Sequence, residues 1–117
     1  MRIINLTQHV ATPEQAEAGV IEPVDKDQVR TLLTIDTLPC QYELMVRADM
    51  LAAIAASSGC KHAMIGGAPY MMRHIEDALH RRGILPMYAF SRRVSDESLD
   101  PAGAIVKTSK FVFDGWI

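Results

Sequence analysis

The sequence predicts one α/β domain, residues 1–117, built as a three-layer sandwich around a mostly parallel sheet with an antiparallel C-terminal edge strand. Short β-branched or apolar runs alternate with segments of helical periodicity, and no repeat or linker interrupts them. The segment 61–90 has the pattern strand, helix, strand, and its length is typical of a right-handed crossover between parallel strands. The final segment, 104–116, alternates polar and apolar residues, as antiparallel edge strands do.

The composition is that of a folded protein with a single core. The chain is 49% hydrophobic and 22% charged, which provides enough apolar material for one core. It contains no apolar run of about 18 residues and no secretory signal at its start, so we expect a cytoplasmic protein without a membrane partner. The net charge of −2, with both signs interspersed, disfavours binding of duplex nucleic acid. An anionic ligand would therefore have to be held locally.

Neither a metal ion nor a cofactor is expected. Cys40 and Cys60 are far apart in sequence and lack metal-ligand spacing, so in a cytoplasmic protein they are predicted to be reduced thiols. His62 opens a predicted strand, whereas His74 and His80 fall on different faces of one predicted helix. A zinc site is not predicted.

The N-terminal segment predicts a strand followed by a short helix. Residues 2–7 (RIINLT) form a β-branched-rich run. Thr12 is the predicted N-cap of the helix, Pro13 occupies its first position, and Gln15 is the partner in a capping box. Gly19 is expected to end this helix.

Two more helices are predicted in the middle of the chain. Asp25 is an N-cap candidate for a helix whose apolar residues Val29, Leu32 and Leu33 have helical spacing. The segment 41–56 should form a longer helix that ends at Gly59. Its predicted buried face consists of Leu44, Ala48, Leu51, Ala52 and Ala55.

The segment 61–90 predicts two more strands around a helix. An apolar run ends in Gly66 and Gly67, the helix that follows ends at Gly83, and ILPMYAF forms the next strand. The predicted buried stripe of this helix consists of Met72, Ile75 and Leu79. A polar loop is expected after Phe90, and it contains Asp96, Glu97, Asp100, Pro101 and Gly103.

Polar side chains and glycines follow all three predicted parallel strands. In open α/β sheets, ligands collect beyond the carboxyl ends of such strands. Hydroxyls, an imidazole, backbone N–H groups and guanidinium groups at one edge suit phosphate. The candidate residues are Asn5, Thr7, Gln8 and His9 after the first strand, Gly66, Gly67 and Tyr70 around the second, and Ser91, Arg92 and Arg93 after the third.

Each candidate also has a structural interpretation. Gly66 and Gly67 are also compatible with a tight strand-to-helix turn, since they match neither a dinucleotide-binding fingerprint nor a P-loop. His9 is also compatible with a structural role as a helix cap. Arg92 and Arg93 are compatible with a solvated pair, and Tyr70 and Tyr88 with ordinary core or rim aromatics.

The opening IINLTQHVATPEQ resembles the start of small CRISPR-associated proteins with a CARF-like, Rossmann-like fold. The matching residues are Asn5, Thr7, His9, Thr12, Glu14 and Gln15. The whole chain, including AMIGGAPYMMRHIEDALHRRGILPMYAFSRR, also resembles short uncharacterised prophage and bacterial proteins. The first resemblance implies binding of a cyclic oligoadenylate second messenger in antiviral defence by a homodimer whose two rims form one pocket, and it leaves open whether a ring nuclease activity cleaves the ligand.

Metal-independent cleavage of a 3′–5′ RNA linkage needs a positioned 2′-hydroxyl, stabilisation of the phosphorane charge and a proton acceptor. Thr7 or Ser91 would position the ligand, Arg92 and Arg93 would stabilise charge, and His9 would move the proton. The alternative is a non-enzymatic phage or defence-related protein that sequesters a nucleotide or binds a host protein. The sequence leaves both functions open.

Overall fold

The structure, a computed structural model, describes residues 1–117. Its elements are β1 (Ile3–Asn5), α1 (Pro13–Glu17), β2 (Val20–Ile21), α2 (Lys26–Leu33), α3 (Gln41–Ser58), β3 (His62–Met64), α4 (Pro69–Arg81), β4 (Leu85–Met87), β5 (Ala89–Leu99) and β6 (Ile105–Trp116). They form a small Rossmann-like α/β fold, which confirms the predicted fold class. No helix is both long and apolar enough to span a bilayer.

The main sheet is fully parallel and has the strand order β2-β1-β3-β4. Ile4 lies opposite Ala63 of β3, and Ala63 lies opposite Pro86 of β4, so the three predicted strands pair as expected. β2 was not predicted because it has only two residues, Val20 and Ile21, which pair with the other side of β1. β1, β3 and β4 have three residues each, so each is shorter than the apolar run that predicted it.

Alternating side chains divide the apolar residues between the two faces of the sheet. Ile4, Leu6 and Ala63 join the main core, together with buried residues of α2, α3 and α4. The other face carries a cluster of four residues, including Ile3 and Met64, against which Ala11, Ala89 and Trp116 pack. α1 buries none of its residues, so this second covering layer is thin.

The helix boundaries follow the predicted capping signals. Thr12 accepts a hydrogen bond from Gln15 N–H in a complete capping box, and Asp25 accepts one from Gln28 N–H. The five predicted core residues of α3 are its buried residues, which confirms the predicted stripe. Gly59 ends α3 in the left-handed conformation, with φ of 77°.

The C-terminal strand is antiparallel, as predicted, but it does not lie at the edge of the parallel sheet. β6 pairs only with β5, in a separate two-stranded sheet that we call the arm. The predicted polar loop is wrong, because most of its residues belong to β5 and the chain turns only near Asp100. The Asp100 carboxylate accepts hydrogen bonds from Ala102 N–H and Ala104 N–H, which fixes the turn.

The arm explains why the molecule is elongated. The radius of gyration is 17.3 Å, whereas a compact domain of this size has about 13 Å. A strand is usually recognised by alternating residues of which one face is buried. Segment 91–103 has no buried face, and its polar residues therefore led to the prediction of a loop. All 11 residues of β5 are at least partly exposed, so that signal is weak.

Gly19→Ala is expected to lower the free energy of unfolding by about 2 kcal/mol. Gly19 has φ of +108°, a conformation that side chains disfavour, and a Cβ would lie 1.9 Å from the Met1 carbonyl oxygen. The contacted oxygen belongs to the backbone just before β1, so the close approach adds to the backbone strain. Denaturant unfolding measures the change, and Gly83→Ala is the control, because a Cβ there meets no atom although φ is also positive. A larger loss in the control would contradict the close-approach argument.

Candidate functional site

A cavity of about 450 Å³ lies at the carboxyl ends of the parallel strands. Its lining includes Thr7, Gln8 and His9 after β1, Gly66 and Gly67 after β3, and Tyr88 after β4. We call this cavity the rim pocket. The connection from β1 leads to β2 on one side, whereas β3 lies on the other side, so the pocket is at the topological switch point of the sheet.

Asn5 organises the loop that borders the rim pocket. Its side-chain amide donates to the His9 carbonyl at 2.8 Å and to the Glu22 carboxylate at 3.0 Å. Its Oδ1 accepts from the Thr7 N–H at 2.9 Å and from the Thr7 hydroxyl at 2.7 Å. Asn5 is fully buried. The prediction that Asn5 binds a ligand is therefore not supported, because its hydrogen-bonding groups hold the loop.

Glu22 connects this loop to α2. Its carboxylate accepts from the Ala11 N–H at 2.9 Å and forms an ion pair with Lys26 at 3.2 Å. Partial burial alone would raise the pKa of Glu22, but hydrogen bonds from Ala11, Asn5 and Lys26 outweigh it and lower the pKa. Partial burial lowers the pKa of Lys26 despite the neighbouring carboxylate. Sequence reasoning missed Glu22, since it is distant along the chain from the residues that it holds.

Two cations of α2 hold the backbone of the same loop. Lys26 Nζ donates to the Thr7 carbonyl at 2.7 Å, and Arg30 Nε donates to the Gln8 carbonyl at 3.1 Å. The Gln8 side chain donates to the Thr34 hydroxyl at 3.1 Å. Thr7 and Gln8 line the pocket as predicted, but their hydrogen bonds also have a structural role. This network accounts for part of the concentration of polar side chains between β1 and α1.

His9 lines the rim pocket with an exposed side chain. Its hydrogen bonds are made by its backbone: the N–H donates to the Thr7 hydroxyl at 3.3 Å, and the carbonyl accepts from Asn5. The alternative that His9 caps the following helix is wrong, because Thr12 occupies the cap position. The imidazole is therefore accessible to a ligand in the pocket.

Gly66 and Gly67 connect β3 to α4 at the floor of the rim pocket. Gly67 has φ of +144°, which favours glycine, whereas a Cβ on Gly66 would meet only the Thr7 methyl group at 3.7 Å. Ala68 is the N-cap of α4 and provides no side-chain hydrogen bond, and Pro69 takes the first helical position. The start of α4 therefore lacks a side-chain cap for its backbone N–H groups.

Tyr88 supplies the third side of the pocket, and sequence reasoning had assigned it only to the core or rim. Its backbone pairs with Ile117 in both directions, at 2.9 and 2.8 Å, which places it between the parallel sheet and the arm. Burial and the nearby Glu76 carboxylate raise the pKa of Tyr88, so its hydroxyl stays protonated at neutral pH. Sequence reasoning placed Tyr88 inside the predicted strand 84–90, so no signal in the sequence put it at the end of a strand.

One family comparison covers the whole chain. The model of the uncharacterized protein MJ1673 family matches residues 1–117. The chain belongs to the MJ1673 family. No curated protein and no solved structure is significantly similar to it. The description of the MJ1673 family assigns no activity, so function has to be argued from the pocket.

The structure places three predicted site residues of this MJ1673-family chain outside the rim pocket. Ser91, Arg92 and Arg93 lie within β5, because the third parallel strand ends at Met87 and the chain continues into the arm. Arg92 Nε lies 3.6 Å from Asp114, and Arg93 donates to the Ser109 hydroxyl at 3.3 Å. The predicted guanidinium groups are therefore not part of this pocket within one protomer.

Tyr70 and a larger cavity also lie apart from the rim pocket. Tyr70 lines a separate cavity of about 490 Å³ with Ile35 and Leu38. A cavity of about 610 Å³ runs along the edge strand β2, from Arg2 and Ser58 at one end to Asp25, which follows β2, at the other. Ligands of parallel α/β sheets collect where the carboxyl ends of neighbouring strands meet at the switch point, so we favour the smaller rim pocket.

The chain offers no cluster of three or more His, Cys, Asp or Glu side chains that could hold a metal ion. Cys40 is exposed and Cys60 is buried, and both are free thiols. The groups that face the rim pocket are an imidazole, hydroxyls, amides and backbone N–H groups. Such groups can bind an anion by hydrogen bonding and can transfer a proton.

Glu22→Gln is expected to destabilise the protein by about 1 kcal/mol at neutral pH, because a neutral amide loses the ion pair and weakens the hydrogen bonds. The folded pKa of Glu22 is lowered, so its stabilising contribution is present above the ordinary glutamate pKa and is lost as the pH falls through the lowered value. The difference between variant and wild type should therefore shrink in acid. Urea unfolding across this pH range measures it, and a difference that is constant with pH would contradict the assignment. Glu14→Gln is the control, since Glu14 is exposed in α1.

Proposed function

We propose that the protein binds a phosphate-bearing nucleotide of the cyclic oligoadenylate class in the rim pocket and cleaves it without a metal ion. The observation that carries the proposal is the position of this pocket at the switch point between β1 and β3. Its volume of about 450 Å³ is within the range of small-molecule sites. A pocket at the lower end of that range suits part of a cyclic oligonucleotide, with the remainder of the ring outside.

Backbone N–H groups supply the proposed phosphate contacts. The uncapped start of α4 carries the positive end of the helix dipole, and this is a common setting for phosphate in α/β proteins. Gly66 leaves its backbone accessible from the pocket because it has no side chain. Tyr88 also lines the pocket, but its hydroxyl is hydrogen-bonded to Glu76 outside it and is therefore not counted among the phosphate contacts.

The proposed cleavage is an in-line transesterification. The ribose 2′-oxygen attacks the adjacent phosphorus and the bond from phosphorus to the 5′-oxygen breaks. The leaving 5′-oxygen takes a proton from water, so that a 2′,3′-cyclic phosphate and a 5′-hydroxyl result. His9 would accept the 2′-hydroxyl proton as a general base, since its imidazole borders the pocket and is exposed. The backbone N–H groups of Gly66 and Gly67, which line the pocket just before α4, would stabilise the charge on the phosphorane.

Binding without turnover is the second candidate function. The observation that favours it is that the hydrogen bonds of His9 are made by its backbone, so no neighbouring group orients its imidazole. Catalytic histidines are usually oriented by a second side chain. In this case the protein would sequester the nucleotide, as a defence-related or phage protein could, and release it unchanged.

One incubation distinguishes the two candidates. Purified protein is mixed with cyclic tetra-adenylate or hexa-adenylate in the presence of a chelator, and the nucleotides are analysed after denaturation. Cleavage predicts linear products that end in a 2′,3′-cyclic phosphate, whereas sequestration predicts recovery of the intact ring together with a raised melting temperature. If neither the melting temperature nor the ring changes, the ligand class is wrong.

The resemblance also implied a homodimer, and we retain this as part of the proposal. We retain the oligomeric state only, and not the shared pocket that the resemblance implied. Light scattering with and without nucleotide tests it, and a monomer under both conditions would contradict it.

A further inference from the structure

The arm exposes two unpaired strand edges. β5 has 11 residues and β6 has 12, and they pair only with each other. Isolated two-stranded sheets are marginally stable in water, and long exposed edges readily accept another strand. Several apolar side chains of the arm are also exposed, among them Leu99, Ile105 and Phe111. These features indicate that the arm has a partner.

The order of charges along β5 indicates which partner fits. Arg92 and Arg93 lie in its first half, and Asp96 and Glu97 lie in its second half. Within the chain these charges are weakly engaged, since the Arg92–Asp114 and Lys107–Glu97 distances are both 3.6 Å and all four side chains are at least half exposed. Exposed ion pairs of this kind contribute little. A strand that is basic at one end and acidic at the other is complementary to an antiparallel copy of itself.

We propose that β5 pairs antiparallel with β5 of a second copy of this chain, so that two arms form one four-stranded sheet. The two-fold axis passes at Val94, which lies opposite the partner's Val94. Arg92 then lies opposite the partner's Asp96, and Arg93 lies diagonal to the partner's Glu97. Both contacts occur twice in the dimer, because the interface is symmetric.

Strand geometry restricts the possible registers. A two-fold axis perpendicular to the sheet preserves its faces, so only residues that point to the same face can lie opposite one another. The next permitted register, centred on Ser95, also gives one direct and one diagonal contact between opposite charges, since Arg93 lies opposite the partner's Glu97. It places Val94 opposite the partner's Asp96, however, whereas the register centred on Val94 pairs the two valines. Apolar side chains opposite one another and opposite charges across strands are both stabilising, so the register centred on Val94 is favoured.

Charged residues on an edge strand often prevent it from pairing with another strand, but the charges of β5 are arranged differently. Protective charges repel an incoming strand, whereas the two signs here are separated so that an antiparallel copy is attracted. The outer edge of β6 is less suitable for pairing with a second copy of the chain. It carries Lys107 and Lys110 but only one acidic residue, Asp114, so self-pairing there gives fewer contacts between opposite charges.

This arrangement has a consequence for the rim pockets. Ala89, which borders the pocket, lies five residues before Val94. Two antiparallel β5 strands would therefore hold the two pocket edges about 33 Å apart along the strand direction. Each pocket would take its own ligand, in contrast to the shared pocket that the sequence resemblance implied. The dimer proposal rests on the arm alone and does not require that a nucleotide binds.

Charge reversal tests the proposal in solution. Wild type should be a dimer by sedimentation equilibrium at micromolar concentration. The double variant Arg92→Glu with Arg93→Glu should be monomeric, and so should Asp96→Arg with Glu97→Arg, because each places like charges opposite one another. An equimolar mixture of the two variants should restore the dimer. Circular dichroism verifies that each variant is folded, and a monomeric wild type or a mixture that stays monomeric would overturn the proposal.

A cysteine crosslink tests the register. In a Cys40→Ser background, which removes the exposed native thiol, Val94→Cys should form an intermolecular disulfide under mild oxidation, because directly opposed residues of antiparallel strands have suitable Cα separations. Val112→Cys is the matched control, since Val112 lies opposite Arg92 on β6 and at the other edge of the arm. Crosslinking of Val112→Cys in preference to Val94→Cys would assign the interface to β6 and overturn the proposal.

Discussion

His9→Ala is expected to reduce cleavage of a cyclic oligoadenylate by about 10²–10⁴-fold while nucleotide affinity changes little. The imidazole borders the rim pocket, and its removal deletes the proposed proton acceptor without affecting the start of α4. The stability of the fold should also be nearly unchanged, because the hydrogen bonds of His9 are made by its backbone. Single-turnover cleavage, calorimetric affinity and melting temperature together measure the three effects.

His9→Gln is the matched control for that experiment. Glutamine retains a polar side chain of similar reach, but it cannot accept and release a proton near neutral pH. It should therefore be as inactive as His9→Ala if proton transfer is the role of His9. Wild-type turnover in both variants would remove His9 from the mechanism and favour the sequestration alternative.

Asn5→Ala is expected to lower the free energy of unfolding by about 3 kcal/mol. The substitution removes the partner of the Thr7 N–H and hydroxyl, of the His9 carbonyl and of the Glu22 carboxylate at a site that is fully buried. Loss of these hydrogen bonds should also increase the mobility of the loop that borders the rim pocket. Denaturant unfolding measures the first effect, and faster amide exchange of residues 7–11 measures the second.

Thr7→Val is the control for the Asn5 variant. Valine keeps the shape of threonine and retains the backbone N–H bond to Asn5, so the loss should be about 1 kcal/mol. A loss in Thr7→Val that equals the loss in Asn5→Ala would show that the hydroxyl, and not the whole amide network, fixes the loop.

The sequence was sufficient to predict those elements whose signals are local. The capping box at Thr12, the buried face of α3 and the crossover from β3 to β4 depend on spacing of a few residues, and the structure confirms them. β2 was missed because a two-residue strand has no periodicity. The arm was missed because its strands are exposed on both faces, and without burial the polar residues resemble a loop.

The candidate site was predicted only in part, because only some of its residues have a local signal in the sequence. Thr7, His9 and Gly66 follow buried strands directly, so the general rule for parallel sheets brings them together. Arg92 was assigned to the same edge because the third strand was predicted to end three residues too late, at Phe90 rather than at Met87. The structural role of Asn5 depends on Glu22, and no local pattern in the sequence connects these two residues.

The most direct test of the central claim is to fill the rim pocket and measure nucleotide binding. Gly66→Leu places a large side chain in the pocket, and its backbone is not in the left-handed conformation that favours glycine. Gly66→Ala is the size control, because its Cβ meets only the Thr7 methyl group at an ordinary distance of 3.7 Å. Arg92→Ala is the position control, since Arg92 lies outside the pocket.

The measurement is isothermal titration of cyclic oligoadenylate into these variants, each first shown to melt near the wild-type temperature. If the ligand binds in the rim pocket, Gly66→Leu should weaken binding at least tenfold, about 1.4 kcal/mol. Gly66→Ala should have an affinity closer to that of wild type, and Arg92→Ala should bind with wild-type affinity. Wild-type affinity in a folded Gly66→Leu variant would contradict the account.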